Sequence, residues 1–343
     1  MKAPAEVPIP PGLTARYRRS VEGRAWLAAL PDLVAGRLGQ WNLEPDLPPG
    51  GLPWNGHGGM VIPVLCAGGS PAALKIAFPH DEAKLERHAL ALWQGQGAAA
   101  LLEHDAGSCA MLLERLDAGR SLAGLPVDDT VEVWGALVRQ LGLVPDGRPQ
   151  WQEFDHIAAR AEQWSDDLPA DWEQLGRPFP RWLLEAALEV CQTRGAVGRR
   201  SSRDVLVHTD LHFLNVLARP VRTGARAAAA GYAAIDPQPM VGEAEFGVAP
   251  LLWNRIGDLP AGAPGMGLRQ RCADFSTAAG LDGDVARQWT IAREVANALW
   301  YAGKPGHRGD LARSLWVAST LAGRTLEGLP APSALPEPGI SLD

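Results

Sequence analysis

The hydrophobic pattern of this sequence changes its period about a third of the way along the chain, and that change restricts the folds it can adopt. Up to residue 116, short apolar runs separated by turn residues are typical of β-strands. Beyond it, most apolar residues recur at helical spacing. With 343 residues the chain is long enough for two packed parts. The pattern predicts an α+β protein with a small β-rich N-terminal lobe and a larger, mainly helical C-terminal lobe.

The N-terminal lobe is predicted over residues 1–116. The apolar runs MVIPVLCA and AALKIAF are joined by the tight turn GGSP, which predicts an antiparallel hairpin. LDAGRSL then predicts a flexible turn that ends the lobe near residue 117. The other elements of this lobe are expected at residues 20–39 (a leading helix), 81–96 (helix), 98–103 (strand) and 109–114 (strand).

The C-terminal lobe is predicted over residues 117–330. One β-rich piece, VLVHTDLHFLNVLARP followed by GYAAIDPQP, interrupts a series of helices. Within it, residues 218–231 are expected to form an exposed insertion, and the proline-rich residues 331–343 are expected to be a disordered tail. The helices are expected at residues 129–141, 153–164, 181–191, 286–301 and 311–326.

Composition excludes several classes of protein. A net charge of −7 argues against a nucleic-acid-binding surface. No apolar run is long enough to span a membrane, the N-terminus lacks the apolar core of a secretory signal, and the four scattered cysteines are typical of reduced thiols. We therefore expect a cytoplasmic monomer or weak dimer without membrane or nucleic-acid partners. Residues 117–343 carry a net charge of −6, which suits a cationic ligand or simply a solubilising surface.

The densest cluster of polar residues is HTDLHFLN, in a loop between two predicted strands. Asp210 and Asn215 are five residues apart in it, and the strand after the insertion ends at Asp236. Phosphoryl transfer needs a carboxylate that orients the attacking hydroxyl, and oxygen ligands that hold Mg²⁺ against the phosphates. These three residues supply that set.

Lys75 lies in the middle of the apolar strand AALKIAF and is one of only four lysines in the chain. A buried ammonium group without a partner is costly, so Lys75 needs a nearby carboxylate, unless its side chain reaches solvent from an exposed strand face. The sequence therefore indicates Lys75 as a second candidate site residue.

The motif HTDLHFLN…AIDP resembles the HxDxxxxN…(I/V)D signature of the aminoglycoside phosphotransferase family, which shares the protein-kinase fold. The segments IDPQPMVGE, APLLWNR and REVANALWY are similar to the branch that contains streptomycin 6-phosphotransferase and hydroxyurea kinase. The resemblance covers most of residues 50–325. It implies a protein-kinase-like two-lobe fold and a kinase that uses ATP (or GTP) with Mg²⁺.

The resemblance also implies roles for the polar cluster. Asp210 would be the catalytic carboxylate, and His208 a structural member of the catalytic loop. Asn215 and Asp236 would be the Mg²⁺ ligands.

On the nucleotide side, Lys75 would bridge the α- and β-phosphates. A glutamate of the following helix would hold it, with Glu86 as the candidate and Glu82 as the alternative. Further nucleotide contacts are expected from the glycine turn at Gly58 and Gly59 and from the main chain of Glu114 to Leu116 beside the adenine edge.

The acceptor is expected to bind over Asp210. Acidic side chains suit the guanidinium or ammonium groups of an aminocyclitol. Trp300, in ALWY, is expected in the core rather than at the ligand. The candidate acceptor contacts are Glu243, Glu245 and Asn297, with Asp258, Glu294 and the aromatic Trp253 as further candidates.

Two positions depart from the pattern of related kinases. Thr209 stands where regulated protein kinases carry an arginine, which disfavours a protein substrate. Gly247 stands where the family has an acidic residue that braces the catalytic loop, so this brace is unfilled or is supplied by Glu243 or Glu245.

The predicted function is an ATP-dependent O-phosphotransferase that acts on a small, hydroxylated, cationic antibiotic such as a streptomycin-like aminoglycoside. One alternative is a kinase for another small antibiotic or metabolite, such as a tuberactinomycin-like peptide or hydroxyurea. Two alternatives belong to other classes. His208, Asp210 and His212 have ligand-like spacing for the metal of a hydrolase, and the loop also fits a non-catalytic nucleotide-binding protein.

Overall fold

The computed structural model describes residues 7–56, 58–195, 203–220, 231–335 and 337–338. The chain divides into two compact units, the first formed by Met1–Gly119 and Ala218–Gln238, the second by Arg120–Leu217 and Pro239–Asp343. The sequence predicts a single boundary near residue 117, whereas in the structure the later segment Ala218–Gln238 also belongs to the first unit. His57, the side chain of Glu82, most of the expected insertion and the end of the expected tail lie outside the described residues.

The first unit begins with two helices and continues with most of the strands. Ser20 caps the second helix, because its Oγ accepts a hydrogen bond from the Gly23 N–H at 2.9 Å. The elements are α1 (Pro11–Tyr17), α2 (Val21–Gln40), β1 (Glu44–Pro45), β2 (Trp54–Asn55), β3 (Gly59–Leu65), β4 (Pro71–Ala77), α3 (Asp81–Trp93), β5 (Leu101–Asp105), β6 (Ala110–Glu114) and β7 (Asp117–Ser121).

The main sheet of this unit is antiparallel, with strand order β1-β3-β4-β6-β5 and β2 paired to β3. Lys75 lies in β4, opposite Val61 of β3 and Met111 of β6. Alternate residues of β3 and β4, such as Ile62 and Leu74, are fully buried against α2. Lys75 therefore stands on a central strand of a well-packed sheet.

The second unit is mainly helical. Pro332–Ala334, within the expected tail, form a short 3₁₀ turn. After β7 the chain forms α4 (Val127–Leu141), α5 (Ile157–Gln174), α6 (Arg181–Arg194), β8 (Val205–His208), β9 (Val216–Ala218), β10 (Tyr232–Ala234), β11 (Pro239–Gly242), α7 (Ala249–Trp253), α8 (Pro264–Ala279), α9 (Gly283–Ala302) and α10 (Arg308–Leu321). Of these elements, β10 belongs to the first unit.

The core of the second unit lies between α5, α6, α9 and α10. Trp289 and Val295 of α9 are buried there with Leu183 of α6 and Ala318 of α10. Among the described residues, no helix is both long and apolar enough to cross a membrane. The four cysteines are thiols without disulfide partners, two buried and two partly exposed.

Most expected elements are confirmed, including the hairpin β3–β4, the helix α3 and the helices α4, α6, α9 and α10. Two of these expectations were wrong, and two helices were missed. LDAGRSL forms the strand β7 rather than a flexible turn. The helix expected at residues 153–164 runs instead from Ile157 to Gln174, through Pro169. The helices α1 and α8 were not predicted; α8 has few large apolar residues and buries Arg271 on its inner face.

Candidate active site

The catalytic loop follows β8, where the chain leaves a two-stranded antiparallel pair. His208 is the last residue of β8, lies opposite Pro239 of β11 and is 3% exposed. Its Nδ1 accepts a hydrogen bond from the main-chain N–H of Asp210 at 3.2 Å. The buried imidazole therefore fixes the turn that carries Asp210, which is the structural position expected for His208.

Asn215 closes the same loop from its other end. Its Nδ2 donates to the main-chain oxygen of Asp210 at 2.9 Å and lies 3.4 Å from Asp210 Oδ2. The His212 N–H also donates to the Asp210 main-chain oxygen, at 3.0 Å. Because the Asn215 nitrogen faces Asp210, its amide oxygen is the atom left to ligate a cation. The Asp210 side chain remains 27% exposed.

The two histidines of the loop do not form a metal centre with Asp210. His212 Nδ1 accepts the Leu214 N–H at 3.2 Å, as His208 Nδ1 accepts that of Asp210, so both nitrogens face the main chain. His212 Nε2 is 3.7 Å from Asp210 Oδ2. In the described part of the chain, which includes all three residues, no three His, Cys, Asp or Glu side chains form a group that could hold a metal ion. The hydrolase alternative therefore lacks its site.

Two side chains that the sequence analysis missed hold the loop from neighbouring helices. Trp134 of α4 donates its Nε1–H to the Leu211 oxygen at 3.0 Å. Arg293 of α9 donates from Nη1 to the oxygens of Thr209 and Phe246, at 2.8 and 2.9 Å. A signal for Arg293 was present in the sequence, because it follows the apolar Trp289 by four residues and so occupies the inward stripe of α9.

A compact ion cluster surrounds Lys75 in the first unit. Lys75 Nζ lies 2.7 and 2.6 Å from the two carboxylate oxygens of Glu86 in α3, and 2.7 Å from Asp236 Oδ1. Lys75 is 7% exposed and Glu86 3%. Burial lowers the pKa of Lys75, but Glu86 and Asp236 outweigh it and raise the pKa above its ordinary value. Lys75 and Glu86 are thus paired as expected, and the lysine stays charged.

Asp236 follows β10 in a conformation uncommon for a residue with a side chain. Its φ is 54°, in the left-handed region, and its side chain is 46% exposed. β10 is anchored within the first unit, since the Ala99 N–H donates to the Ala234 oxygen and the Ala234 N–H to the Gly97 oxygen, at 2.9 and 2.8 Å. Such strained positions persist where the surroundings hold them, commonly at functional sites.

The glycine turn is built for close packing. A Cβ at Gly59 would lie 2.5 Å from the Ile76 oxygen, so only glycine fits beside β4 there. The Gly58 oxygen accepts the Phe78 N–H at 2.8 Å. The close approach to β4 explains Gly59 without a ligand, and the role of both glycines at phosphates stays a prediction.

At the expected adenine edge, the Glu114 carboxylate pairs with Arg219, Oε1 to Nε at 2.9 Å. The Glu114 N–H donates to the Ala100 oxygen at 2.8 Å, so it is not available to a base. Leu116 is buried. Recognition of a base by this segment stays a prediction.

The expected acceptor residues lie in different surroundings. Glu243 is bound by Trp289 Nε1 at 2.7 Å and Arg194 Nη1 at 3.0 Å, and it lines a cavity of about 390 Å³ at the opposite end of β8 from His208. Glu245 accepts the Asp282 N–H at 3.3 Å. Both carboxylates are therefore engaged in contacts that hold the unit together.

Asn297 instead joins a buried polar cluster on α9 and α10. Its Nδ2 donates to Glu294 Oε1 at 3.2 Å, while Glu294 Oε2, fully buried, has no hydrogen-bond partner. Burial raises the pKa of Glu294 to about 7, although neighbours including Ser314 and Arg293 lower it. Burial also raises the pKa of Tyr301, and the charges of Glu294, Asp310 and Asp210 add to that rise. Tyr301 thus lies within electrostatic range of Asp210 and this cluster.

The expectation that Trp300 lies in the core was wrong. Its side chain is 52% exposed, and the Lys304 ammonium group lies 3.7 Å from the centre of its ring. Periodicity placed Trp300 on α9 correctly, but the residue falls on the outer face near the helix end, beside Tyr301, His307 and Lys304 rather than in the core.

This chain is similar to kinases of known families. Residues 40–304 match the family model described as aminoglycoside/hydroxyurea antibiotic resistance kinase. The streptomycin 6-kinase of Streptomyces griseus is 36% identical over 88% of this chain and 92% of its own length. The hydroxyurea phosphotransferase of Kitasatospora aureofaciens is 34% identical over 88% of this chain and 82% of its own.

Among solved structures, the ethanolamine kinase of Plasmodium vivax superimposes with a TM-score of 0.51 at 12% identity, covering 89% of this chain and 88% of that one. This likeness concerns the fold alone and confirms the protein-kinase-like architecture. Because the family model spans most of the chain, including the loop that carries Asp210, the chain belongs to the aminoglycoside/hydroxyurea antibiotic resistance kinase family and is a small-molecule phosphotransferase.

Proposed function

We propose that this protein transfers the γ-phosphoryl group of ATP, with Mg²⁺, to a hydroxyl of a small cationic antibiotic of the aminoglycoside or aminocyclitol class. The observation that carries the proposal is Asp210, a partly exposed carboxylate in a loop whose main chain is held by hydrogen bonds from the side chains of His208, Trp134 and Arg293. It would act in the cytoplasm as a monomer or weak dimer. GTP is the alternative nucleotide.

The residues present fit a magnesium-bound nucleotide. Mg²⁺ prefers oxygen ligands. In nucleotide sites one or two protein side chains are sufficient, because the phosphates supply further oxygen ligands. Asn215 offers an amide oxygen in the second unit, and Asp236 offers a carboxylate in the first. Lys75 supplies a permanent positive charge for phosphate oxygens, held by Glu86. The metal ion would neutralise the negative charge on the transferred group.

Asp210 would act on the acceptor. A carboxylate within hydrogen-bond reach of a hydroxyl orients its oxygen for in-line attack and accepts the proton as the new P–O bond forms. Because the transition state of phosphoryl transfer is loose, orientation contributes more than basicity. The fixed main chain on both sides of Asp210 supports this role.

The substrate class rests on the relatives and on charge. One relative is named a streptomycin 6-kinase, and its similarity covers most of both chains. The net charge of −6 over residues 117–343 suits a guanidinium or ammonium group on the acceptor. Of the acceptor residues expected from the sequence, Asn297 is the best placed, whereas Glu243 and Glu245 are engaged elsewhere. Hydroxyurea is the second candidate, since another relative is named for it.

A panel assay tests this proposal. Purified protein is given Mg·ATP with streptomycin, other aminocyclitols, hydroxyurea and a tuberactinomycin-like peptide, and ATP consumption is followed together with the mass of the acceptor. We expect phosphorylation of an aminocyclitol, and strongly reduced phosphorylation by the Asp210→Asn variant. Turnover of hydroxyurea alone would favour the second candidate. Tight nucleotide binding without turnover of any acceptor would contradict an enzymatic role.

A further inference from the structure

The brace of the catalytic loop is missing from its usual place. Gly247, where an acidic side chain was expected, lies in the 3₁₀ helix Ala244–Val248 and is buried. A Cβ at Gly247 would lie 3.2 Å from Val207 Cγ1 and 3.5 Å from the His208 oxygen, so a larger side chain would press on β8. Glu243 and Glu245, the expected replacements for this acidic side chain, are bound by Trp289 and by the Asp282 N–H instead. Another group must hold the loop.

Arg293 makes the contacts that such a brace requires. One nitrogen, Nη1, bridges the main-chain oxygens of Thr209 and Phe246, the residues directly before Asp210 and Gly247. The guanidinium group also lies 4.5 Å from the centre of the Phe246 ring. The charges of Glu294 and Asp210 act on the same group. Arg293 thus ties the catalytic loop to the 3₁₀ helix at the two relevant residues.

We propose that Arg293 is the positioning residue of the catalytic loop and replaces the absent acidic brace with opposite polarity. A carboxylate accepts hydrogen bonds from main-chain N–H groups, whereas Arg293 donates to carbonyl oxygens. The Thr209 oxygen belongs to the planar peptide unit that leads into Asp210, so fixing it fixes the direction in which Asp210 leaves the main chain. The inference rests on the proposed function, because it takes Asp210 as the catalytic carboxylate.

A pair of conservative variants tests the proposal. Arg293→Lys keeps the positive charge but shortens the side chain and removes the rigid guanidinium group that places Nη1 between the two carbonyl oxygens. The matched control is Arg271→Lys, because Arg271 of α8 also bridges two main-chain oxygens through one nitrogen, those of Asn254 and Arg255, at 3.2 and 3.1 Å. We expect kcat to fall about a hundredfold for Arg293→Lys, because displacing a catalytic group such as Asp210 by about 1 Å has that cost. The KM for ATP and the KM for the acceptor should each stay within about twofold of the wild-type value. Arg271→Lys should keep kcat.

A second readout needs no acceptor. Amide hydrogen exchange of residues 205–216 should be faster in Arg293→Lys than in the wild type, and unchanged in Arg271→Lys. If Arg293→Lys melts below the assay temperature, Arg293→Gln, which keeps N–H donors without the charge, is measured in the same way. Equal effects of the Arg293 and Arg271 variants on kcat and on loop exchange would overturn the proposal. Failure of the proposed function looks different, because the wild type would then phosphorylate no acceptor while the difference in exchange persists.

Discussion

Lys75 in the first unit and Asp210 in the second are held by different kinds of contact. Lys75 is fixed through its own side chain by two carboxylates, each within 2.7 Å of its ammonium group. Asp210 is fixed through its main chain and that of its neighbours, by His208, Trp134 and Arg293. In the first unit, ion pairs fix the ammonium group of Lys75. In the second unit, hydrogen bonds to main-chain atoms fix the loop that carries the Asp210 carboxylate.

The difference follows from what each residue is proposed to do. A phosphate-binding lysine must be charged and aimed while buried, and buried ions need partners of opposite sign. A carboxylate that meets an acceptor must present oxygens to the incoming hydroxyl, so its restraints are better placed on the backbone. We therefore expect changes in the first unit to alter nucleotide affinity, and changes around Asp210 to alter turnover.

The largest effect is expected for Asp210→Asn. The variant keeps the size of the side chain but loses the charge and the proton acceptor, so kcat should fall by about 10²–10⁴. Nucleotide binding, measured by calorimetry, and the melting temperature should change little. The control is Asp146→Asn, on an exposed loop of the same unit, where the aspartate pairs with Arg148. Full turnover by Asp210→Asn would remove Asp210 from catalysis and end the contrast between the units.

The variant Glu294→Gln measures what a buried carboxyl group costs the second unit when one of its oxygens has no hydrogen-bond partner. Burial raises the pKa of Glu294 from its ordinary 4.5 to about 7. Between these values the folded protein holds a proton that the unfolded chain has lost, so stability falls as pH rises through this window. Glu294→Gln removes that penalty. Its free energy of unfolding relative to wild type should rise by about 2–3 kcal/mol between pH 5 and pH 8.

Urea denaturation at the two pH values measures this difference. Because each protein is compared at both pH values, any packing change caused by the substitution cancels. An equal difference between variant and wild type at pH 5 and pH 8 would show that folding does not raise the pKa of Glu294.

A third change, Lys75→Ala, concerns the first unit. A charge-assisted hydrogen bond contributes about 1.5–3 kcal/mol, so KM for ATP should rise about tenfold to a hundredfold. Adding Glu86→Gln separates the loss of phosphate contact from the cost of leaving Glu86 buried without its partner. Lys304→Ala is the control, since that ammonium group lies over the exposed Trp300 ring. An unchanged KM would remove Lys75 from the nucleotide site.

The same contrast explains what the sequence could predict. A lysine in an apolar strand predicts a carboxylate partner, and the family resemblance implied Glu86 on the next helix, so the pair was found without a structure. The brace by Arg293 was not found, because a hydrogen bond to a main-chain oxygen requires no particular residue at the acceptor position and joins residues 84 positions apart. The missed helix α8 has the same cause. Its buried Arg271 is satisfied by main-chain oxygens, so its inner face does not read as apolar.

Two boundaries also depended on distant contacts. The helix α5 continues past Pro169 because Leu168 and Trp172 stay buried in the core, which outweighs the break that proline favours. The segment Ala218–Gln238 belongs to the first unit, where Ala234 pairs with Gly97 and Ala99. No local pattern in the sequence indicates that return.

The smallest expected effect tests the restraint on Leu211. Trp134→Phe removes the indole N–H that donates to the Leu211 oxygen, while the ring remains against Phe275, 5.5 Å away. The matched control is Trp172→Phe, because Trp172 is also buried and donates to a main-chain oxygen of the same unit, that of Phe179, at 2.9 Å. Both variants should lose about 1 kcal/mol of stability, the usual contribution of one hydrogen bond. Only Trp134→Phe should also lower kcat, by about fivefold. The lost hydrogen bond restrains the loop that carries Asp210, so its free energy also contributes to placing Asp210. KM for ATP should stay constant in both. If the two variants lower kcat equally, the backbone of the loop does not control turnover, and the Asp210 side chain alone must account for it.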